Sequence, residues 1–476
     1  MRRRAGGIRL LVIMAAALLV ASCTGGAGKS AGGSYHGPPV KGPANLVGVH
    51  FAWANLAGEA HLVKDLSGGS TFDIVTWCSV ETSPGQFDWR SLDRAVDSAN
   101  QLGIKVFLKL ETGSCWATGE PAAQGGSRTR GITHMPSSMD AWAGFVRAVV
   151  KRYAPLGVRE YAVGNEVNVA NHFNGGVSQY RQLVEATARA IKASDPGAEV
   201  LDGGISSTGW GAALVADLES RGMSSQALST YQAYFAYRIS SGQFPAVRSS
   251  TQLSSVMRSS VMQRDIAFAK LTLSLASSGV ISALQLHYYE PSSELLALLA
   301  FLRAHLPSGF PIQAWEVGEY LPPGVNLSDP LLAEDAVKLA SLLLGSGVSP
   351  VIWLPLEFQG NRSRESNYAL LDPQGAPRPI WAAWLRIASV TAGADRTTGL
   401  YDEGGVIGLK AAAGGRSSLL VWSTSGTRLL HFSPELRVTA PDGGPIASTG
   451  GKLELGGSPV LLSGPESAGG ALQVVS

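Results

Sequence analysis

The chain has 476 residues, of which 45% are hydrophobic and only 16% charged, and its formal net charge is +2. Charge this sparse and this balanced leaves no electrostatic footprint for a nucleic acid or a charged membrane surface, so neither is expected as a partner. The length suits one large domain with a small companion.

Met1-Arg2-Arg3-Arg4 opens the chain, an apolar run follows from Ile8 to Val20, and Ala21-Ser22-Cys23 closes it. A basic start, a short apolar stretch and small residues before a break describe a secretory signal peptide over residues 1–22. The run is short for a membrane span of about 20 residues. Leu19-Val20-Ala21-Ser22-Cys23 resembles a bacterial lipobox, which implies lipidation of Cys23 and anchoring to the outer face of the cell membrane through that lipid alone. Residues 23–43 are rich in Gly, Ser and Pro and suit a flexible tether.

From residue 45 onward, short β-type runs alternate with helical patterns. The runs are Leu46 to His50, Phe72 to Trp77, Lys105 to Leu110, Tyr161 to Val163, Glu199 to Asp202, Ile281 to Leu286, Pro311 to Trp315 and Val351 to Leu354. Most are apolar on both sides, as in strands of a parallel sheet covered by helices. Ser91 to Ala99 reads as a helix with Ser91 as cap and Gly103 beyond its end, and Trp142 to Tyr153 as another that stops before Pro155. Eight such strands predict an α/β fold, a (β/α)₈ barrel over residues 44–386. The rival is an open doubly wound sheet, but no Gly-rich phosphate loop follows a strand, and no cofactor is expected.

The interval between Asp202 and Ile281 is long, and Tyr231, Tyr234 and Tyr237 recur in it at helical spacing, either as core or as aromatic walls of a cleft. After Trp384 the pattern changes to short strands separated by Gly, Ser and Pro, which predicts a small all-β domain over residues 387–476 beside the barrel. Cys78 and Cys115 fall at the ends of successive strands. In an oxidising compartment they form either one disulfide or two free buried thiols.

A (β/α)₈ barrel places its active site at the C-terminal ends of its strands. The fourth strand ends Gly164-Asn165-Glu166 and the seventh Trp315-Glu316. Two carboxylates across a barrel mouth are the minimum equipment for splitting an acetal: one protonates the leaving oxygen, the other attacks carbon or activates water. No His, Asp or Cys set has metal-ligand spacing, so no metal is expected. Glu81, Glu111, Glu290 and Glu357 also follow strands and read as rim or solvated residues.

Together these motifs carry a family resemblance. Pro136, Trp142, Phe145, Val150 and Arg152-Tyr153 leading to Asn165-Glu166-Val167-Asn168 are similar to the approach to the acid/base in clan A glycoside hydrolases, families 39 and 5 in particular. Trp77 to Glu81 with Pro84 to Trp89, His287-Tyr288-Tyr289, Tyr368 to Asp372 and Ser458 to Leu462 resemble further stretches of those enzymes, in the same order. The resemblance implies a monomeric, retaining O-glycosyl hydrolase acting on an extracellular glycan or oligosaccharide. Glu166 would be the acid/base, with a raised pKa, and Glu316 the nucleophile, with Glu319 as its rival. Tyr288 or Tyr289 would hold Glu316, Asn165 would bond the sugar 2-hydroxyl, and His287 would orient a carboxylate or touch sugar unless it is structural. His50 would line the substrate site, and Trp353 would stack on a sugar ring unless it is core. The chain departs from the pattern twice: Gly164 stands where a Trp is usual, opening room, and the second strand lacks the Arg that supports the nucleophile. The competing expectation is a catalytically silent carbohydrate-binding lipoprotein on the same scaffold.

Overall fold

The structure is a computed structural model that describes residues 45–53, 56–119, 132–321, 328–357, 367–393, 396–470 and 472–475. The signal peptide, Cys23 and the tether lie outside the described residues, and among those described no helix is long and apolar enough to cross a membrane.

Eight parallel strands form the barrel: β1 Val47–Val49, β2 Ser70–Thr76, β3 Lys105–Glu111, β4 Glu160–Val163, β5 Glu199–Asp202, β6 Leu284–Tyr288, β7 Ile312–Val317 and β8 Val348–Trp353. They pair as two arcs, β2-β3-β4-β5 and β1-β8-β7-β6. The arcs meet at one seam through the Leu201–Ala283 and Ile205–Leu286 bridges. At the other, Gly48 runs so close to Ser70 that a Cβ there would lie 1.8 Å from the Ser70 carbonyl oxygen. Inward residues of β2 to β5, β7 and β8 (Phe72, Phe107, Ala162, Leu201, Trp315, Ile352), with Ala283 just before β6, fill the barrel interior.

The helices follow the sequence pattern with small shifts. Helix α1, Arg90–Leu102, starts one residue before Ser91, so Ser91 sits in its first turn and Trp89 takes the cap position. Its end is as expected, with Gly103 at φ 70°. Helix α2, Met139–Tyr153, is capped by the Ser138 hydroxyl. The long interval after β5 is helical, including α3 Ser207–Ser220, α4 Ser224–Tyr234 and α5 Ser260–Ser277. Tyr231 and Tyr234 are core there, their hydroxyls donating to the Pro245 and Ser207 carbonyls.

Helix α6, Pro379–Thr391, buries Trp384, Ile387, Ala388 and Thr391 at helical spacing and so runs past residue 386. Beyond it lie antiparallel strands β9 Thr397–Glu403, β10 Val406–Ala413, β11 Arg416–Ser423, β12 Arg428–His431, β13 Arg437–Thr439, β14 Lys452–Leu455, β15 Val460–Pro465 and β16 Gln473–Val475. Five form a sheet in the order β9-β10-β11-β15-β13, and three form a second, β14-β12-β16. One face of the larger sheet (Val406, Leu419, Val421, Leu462) packs with the smaller sheet. The other face (Ile407, Leu409, Leu420, Trp422, Leu461) joins the barrel core. Strict alternation along β10 and β11 makes this two-sided burial possible.

Candidate active site

At the C-terminal mouth, β7 carries one residue more than its neighbours. Leu286 pairs with Ala314 but His287 with Glu316, and on the other side Val351 pairs with Ala314 but Trp353 with Val317. The bulge lets Trp315 stay in the barrel interior while its successor Glu316 also turns into the mouth.

Glu316 is held by three neighbours. Lys109, fully buried on β3, donates through Nζ to Glu316 Oε1 at 2.5 Å. The same ammonium donates to Asn165 Oδ1 at 2.7 Å and lies 4.2 Å above the centre of the Phe72 ring. The Tyr289 hydroxyl donates to Glu316 Oε2 at 3.0 Å, and His287 Nδ1 stands 3.5 Å from that oxygen. Burial by itself favours the acid form of Glu316, but the His287 and Lys109 charges and the donated hydrogen bonds outweigh it and hold the carboxyl at about 2. Lys109 therefore fills the space of the missing strand-two Arg, reaching Glu316 from the adjacent strand.

Glu166 sits just beyond β4 with φ 43°, the one described non-glycine residue in the left-handed region. Gly164 before it has φ 84°, and a Cβ there would come 2.8 Å from Val167 Cγ1. The turn itself thus requires glycine where a Trp was the comparison, rather than merely leaving room. Glu166 Oε1 lies 3.3 Å from His287 Nδ1 and Oε2 lies 3.6 Å from His172 Nδ1. Burial pushes the Glu166 carboxyl up, but the His287 hydrogen bond and the His172 charge pull it below its ordinary value, which corrects the expectation of a raised one.

Gln285 Nε2 donates to the Asp202 carbonyl at 2.9 Å, so its Oε1 is the atom facing His287 Nε2 at 2.9 Å, and Lys109 Nζ lies 3.4 Å from the same nitrogen. His287 Nδ1 is left facing both carboxylates. Gly204, with φ 70°, is glycine because a Cβ would come 2.5 Å from His287 Nε2.

A distant guanidinium secures the Glu166 turn. Arg264 on α5 donates to the carbonyls of Asn168 (2.7 Å), Gly175 (2.9 Å), Phe173 (2.9 Å) and Val167 (3.2 Å). Beside it, buried Asp265 accepts from Asn168 Nδ2 at 2.7 Å.

Other expectations divide. His50 stacks on Phe72 with centroids 4.1 Å apart and donates through Nδ1 to the Phe72 carbonyl; burial keeps it neutral, at about 4. Of the two tyrosines, Tyr289 touches Glu316, whereas Tyr288 is core and bonds the Pro291 carbonyl. Trp353 as a sugar platform is corrected: it is fully buried, 5.4 Å from Trp384, with its indole N–H on the Tyr368 carbonyl, so no face is open. Glu319 is buried apart from the cluster, near Asp335 and Lys338, without a hydrogen-bond partner, and burial holds it neutral. Glu81, Glu111 and Glu290 are buried rather than solvated: Glu81 accepts from Trp77 and Gly85, and Glu290 pairs with Arg238. Glu111, raised to about 8 by burial, faces the site from the end of β3. A disulfide joins Cys78 to Cys115, with Cα atoms 5.7 Å apart, tying the segments that follow β2 and β3.

Lys109, His172, Gln285 and Arg264 escaped the sequence reading. Only Lys109 left a signal there, as a charge on an inward position near the end of an apolar strand.

No family model matches the sequence, and no curated protein is similar to it. Solved structures do match. A family 39 glycoside hydrolase from the gut symbiont Bacteroides cellulosilyticus WH2 superposes with a TM-score of 0.62 at 15% identity, covering 90% of this chain and 83% of that one. The fold is that of the family 39 glycoside hydrolases. The family 39 enzyme from Xanthomonas axonopodis pv. citri gives 0.53 at 15% identity over 90% and 96% of the two chains, and a monomeric β-xylosidase from Caulobacter crescentus CB15 gives 0.52 at 14% over 90% and 98%. Coverage of this extent takes in both the barrel and the β-sheet region.

Proposed function

We propose that this chain is a retaining glycoside hydrolase with Glu316 as nucleophile and Glu166 as acid/base. The observation that carries the reading is the pair itself: Glu166, His287 and Glu316 each present an atom within 4.8 Å of the others, with Glu316 held as the anion. One oxygen of each carboxylate lying within 4.8 Å of the other is compatible with a retaining pair, for which the carboxyls lie about 5–5.5 Å apart.

In the first step the Glu316 carboxylate attacks the anomeric carbon. The bond from that carbon to the leaving oxygen breaks, and the oxygen takes a proton from Glu166. In the second, Glu166 accepts a proton from water, the water oxygen bonds the anomeric carbon, and the ester bond to Glu316 breaks. Asn165, its oxygen occupied by Lys109, has its amide N–H groups left for a sugar hydroxyl. His287 Nδ1, 3.3 Å from Glu166 Oε1, orients that carboxyl at both stages.

The same three residues have the spacing of a metal site. Lys109 already meets the charge of Glu316 through the oxygen turned away from His287 Nδ1, so the donor set suits acid–base work without a cation. The substrate class is an extracellular glycan or oligosaccharide. Export and a lipid on Cys23 belong to the same proposal, supported by the N-terminal sequence and by a disulfide that suits an oxidising compartment.

The test is turnover of a panel of dinitrophenyl glycosides, with mass spectrometry of protein quenched during the reaction. A glycosyl adduct on the Glu316 peptide is expected. Glycan binding unchanged in Glu166→Gln and Glu316→Gln proteins, with no turnover in the wild type, would instead favour the silent binding protein. Release of Cys23→Ala protein from membranes tests the anchor.

A further inference from the structure

A second constellation lies far from the carboxylates in chain and in element, at the seam between α6 and the larger β-sheet. In β13, β15 and β11, Arg437 pairs with Ser463 and Ser463 with Ser418, while Thr439 pairs with Leu461 and Leu461 with Leu420. Alternation therefore sets Arg416, Arg437, Thr439 and Ser463 on the face that packs against the barrel. From the barrel side, α6 contributes Arg386. These residues line a cavity of about 240 Å³ together with Gly443. Gly443 has φ 95°, which favours glycine, and its Cα side lies close to Arg386 Nη2, 2.7 Å from where a Cβ would stand.

None of the three arginines makes a hydrogen bond or ion pair with any described residue. The carboxylate beside Gly443, Asp442, accepts from the Gly444 N–H at 2.9 Å. Acidic residues are not scarce in this chain, with 36 Asp and Glu against 38 Lys and Arg. Arg416 and Arg437 are exposed and Arg386 is half-buried, so water screens their mutual repulsion, and all three forks stay open to an anion that enters the cavity.

We propose that this seam binds a phosphate group. Every polar side chain of the lining can donate, and three guanidinium forks suit the bidentate recognition of tetrahedral oxyanions. A single carboxylate would neutralise one of the three charges, whereas a phosphate monoester brings close to two negative charges and three acceptor oxygens. The volume falls below the ~300 Å³ at which pockets for whole small molecules begin, which fits a group rather than an oligosaccharide. The phosphate comes either from a soluble phosphate ester or from a phospholipid headgroup, and the inference is independent of the catalytic reading.

The test is calorimetric titration of the purified protein with inorganic phosphate at low ionic strength, alongside co-sedimentation with phosphatidylglycerol and with phosphatidylcholine vesicles. Saturable phosphate binding is expected, weakened about tenfold or more by Arg386→Ala and by Arg437→Ala. Arg437→Lys, which keeps the charge and loses the fork, should fall between. Circular dichroism and the melting temperature without ligand show whether each variant is folded, and phosphate should raise that temperature only where the arginines remain. Vesicle binding that the Arg variants lose identifies a headgroup as the source; phosphate binding without vesicle binding identifies a soluble ester. No saturable binding in either arm, or binding that the variants leave unchanged, overturns the proposal.

Discussion

The two carboxylates at the mouth of the barrel are held in opposite ways. Glu316 comes from a bulged strand, accepts from an ammonium and a phenol, and is 9% exposed at its side chain. Glu166 itself has left-handed φ, faces the imidazoles of His172 and His287, and is 19% exposed. Permanent donors fix Glu316 as an anion, which suits a group that must be charged whenever substrate arrives. Imidazole neighbours suit the proposed acid/base, which would change protonation twice in each cycle. The rigidity of the Glu166 turn comes from outside, through the four carbonyls that Arg264 clasps.

The sharpest way to break this comparison is to remove each carboxylate. Glu316→Gln should lower kcat on any turned-over glycoside by on the order of 10⁴–10⁶-fold, whatever the leaving group. Glu166→Ala should cost ~10²–10⁴-fold for poor leaving groups and much less in the first step for dinitrophenyl leaving groups, which need no proton. Equal losses for both classes of substrate would show that Glu166 is not the acid.

Lys109→Met sharpens it next. Breaking a buried pair this way costs about 3–5 kcal/mol of stability, read by denaturant titration. The sign with pH follows from Glu316, whose value is lowered from 4.5 to about 2 in the fold. Its contribution to stability is present above about pH 4.5 and is lost as pH falls towards 2. In the variant that acid-side loss should disappear, and the acid limb of kcat/KM should move upward, because burial then acts on Glu316 without the ammonium.

The barrel was legible because parallel strands buried on both faces are written as continuous apolar runs, and eight of them in alternation with helices leave few architectures. The carboxylates were legible because each follows a strand. What supports them was not. Lys109 stands on an inward position of an apolar strand, but nothing local says which acid it meets, and the bulge at Trp315 has no local composition to announce it. Arg264 lies 97 residues from Val167 in the chain, a distance over which no local pattern speaks. Trp353 misled for a related reason: its place at the end of β8 was read correctly, but its direction depends on Trp384 and on the Tyr368 carbonyl.

Arg264→Ala should have a smaller effect, about tenfold on kcat with little on KM, and faster hydrogen exchange of the amides between Glu166 and Gly175. Because the guanidinium touches only the turn, its loss should weigh on poor leaving groups more than on dinitrophenyl ones, following Glu166. A loss equal for both would mean that Arg264 merely stabilises the fold.

The smallest catalytic effect is expected at Trp353. A ring that stacked on sugar would lose binding energy when narrowed, and Trp353→Phe would raise KM. Here both faces are covered by protein, and the one polar atom is spent on the Tyr368 carbonyl. The substitution therefore removes a hydrogen bond and leaves a small void beside Trp384, at a cost of roughly 1–3 kcal/mol. The melting temperature should fall while KM stays within about twofold of the wild type. A raised KM with unchanged melting temperature would return the ring to the cleft and undo the assignment of this residue to the core.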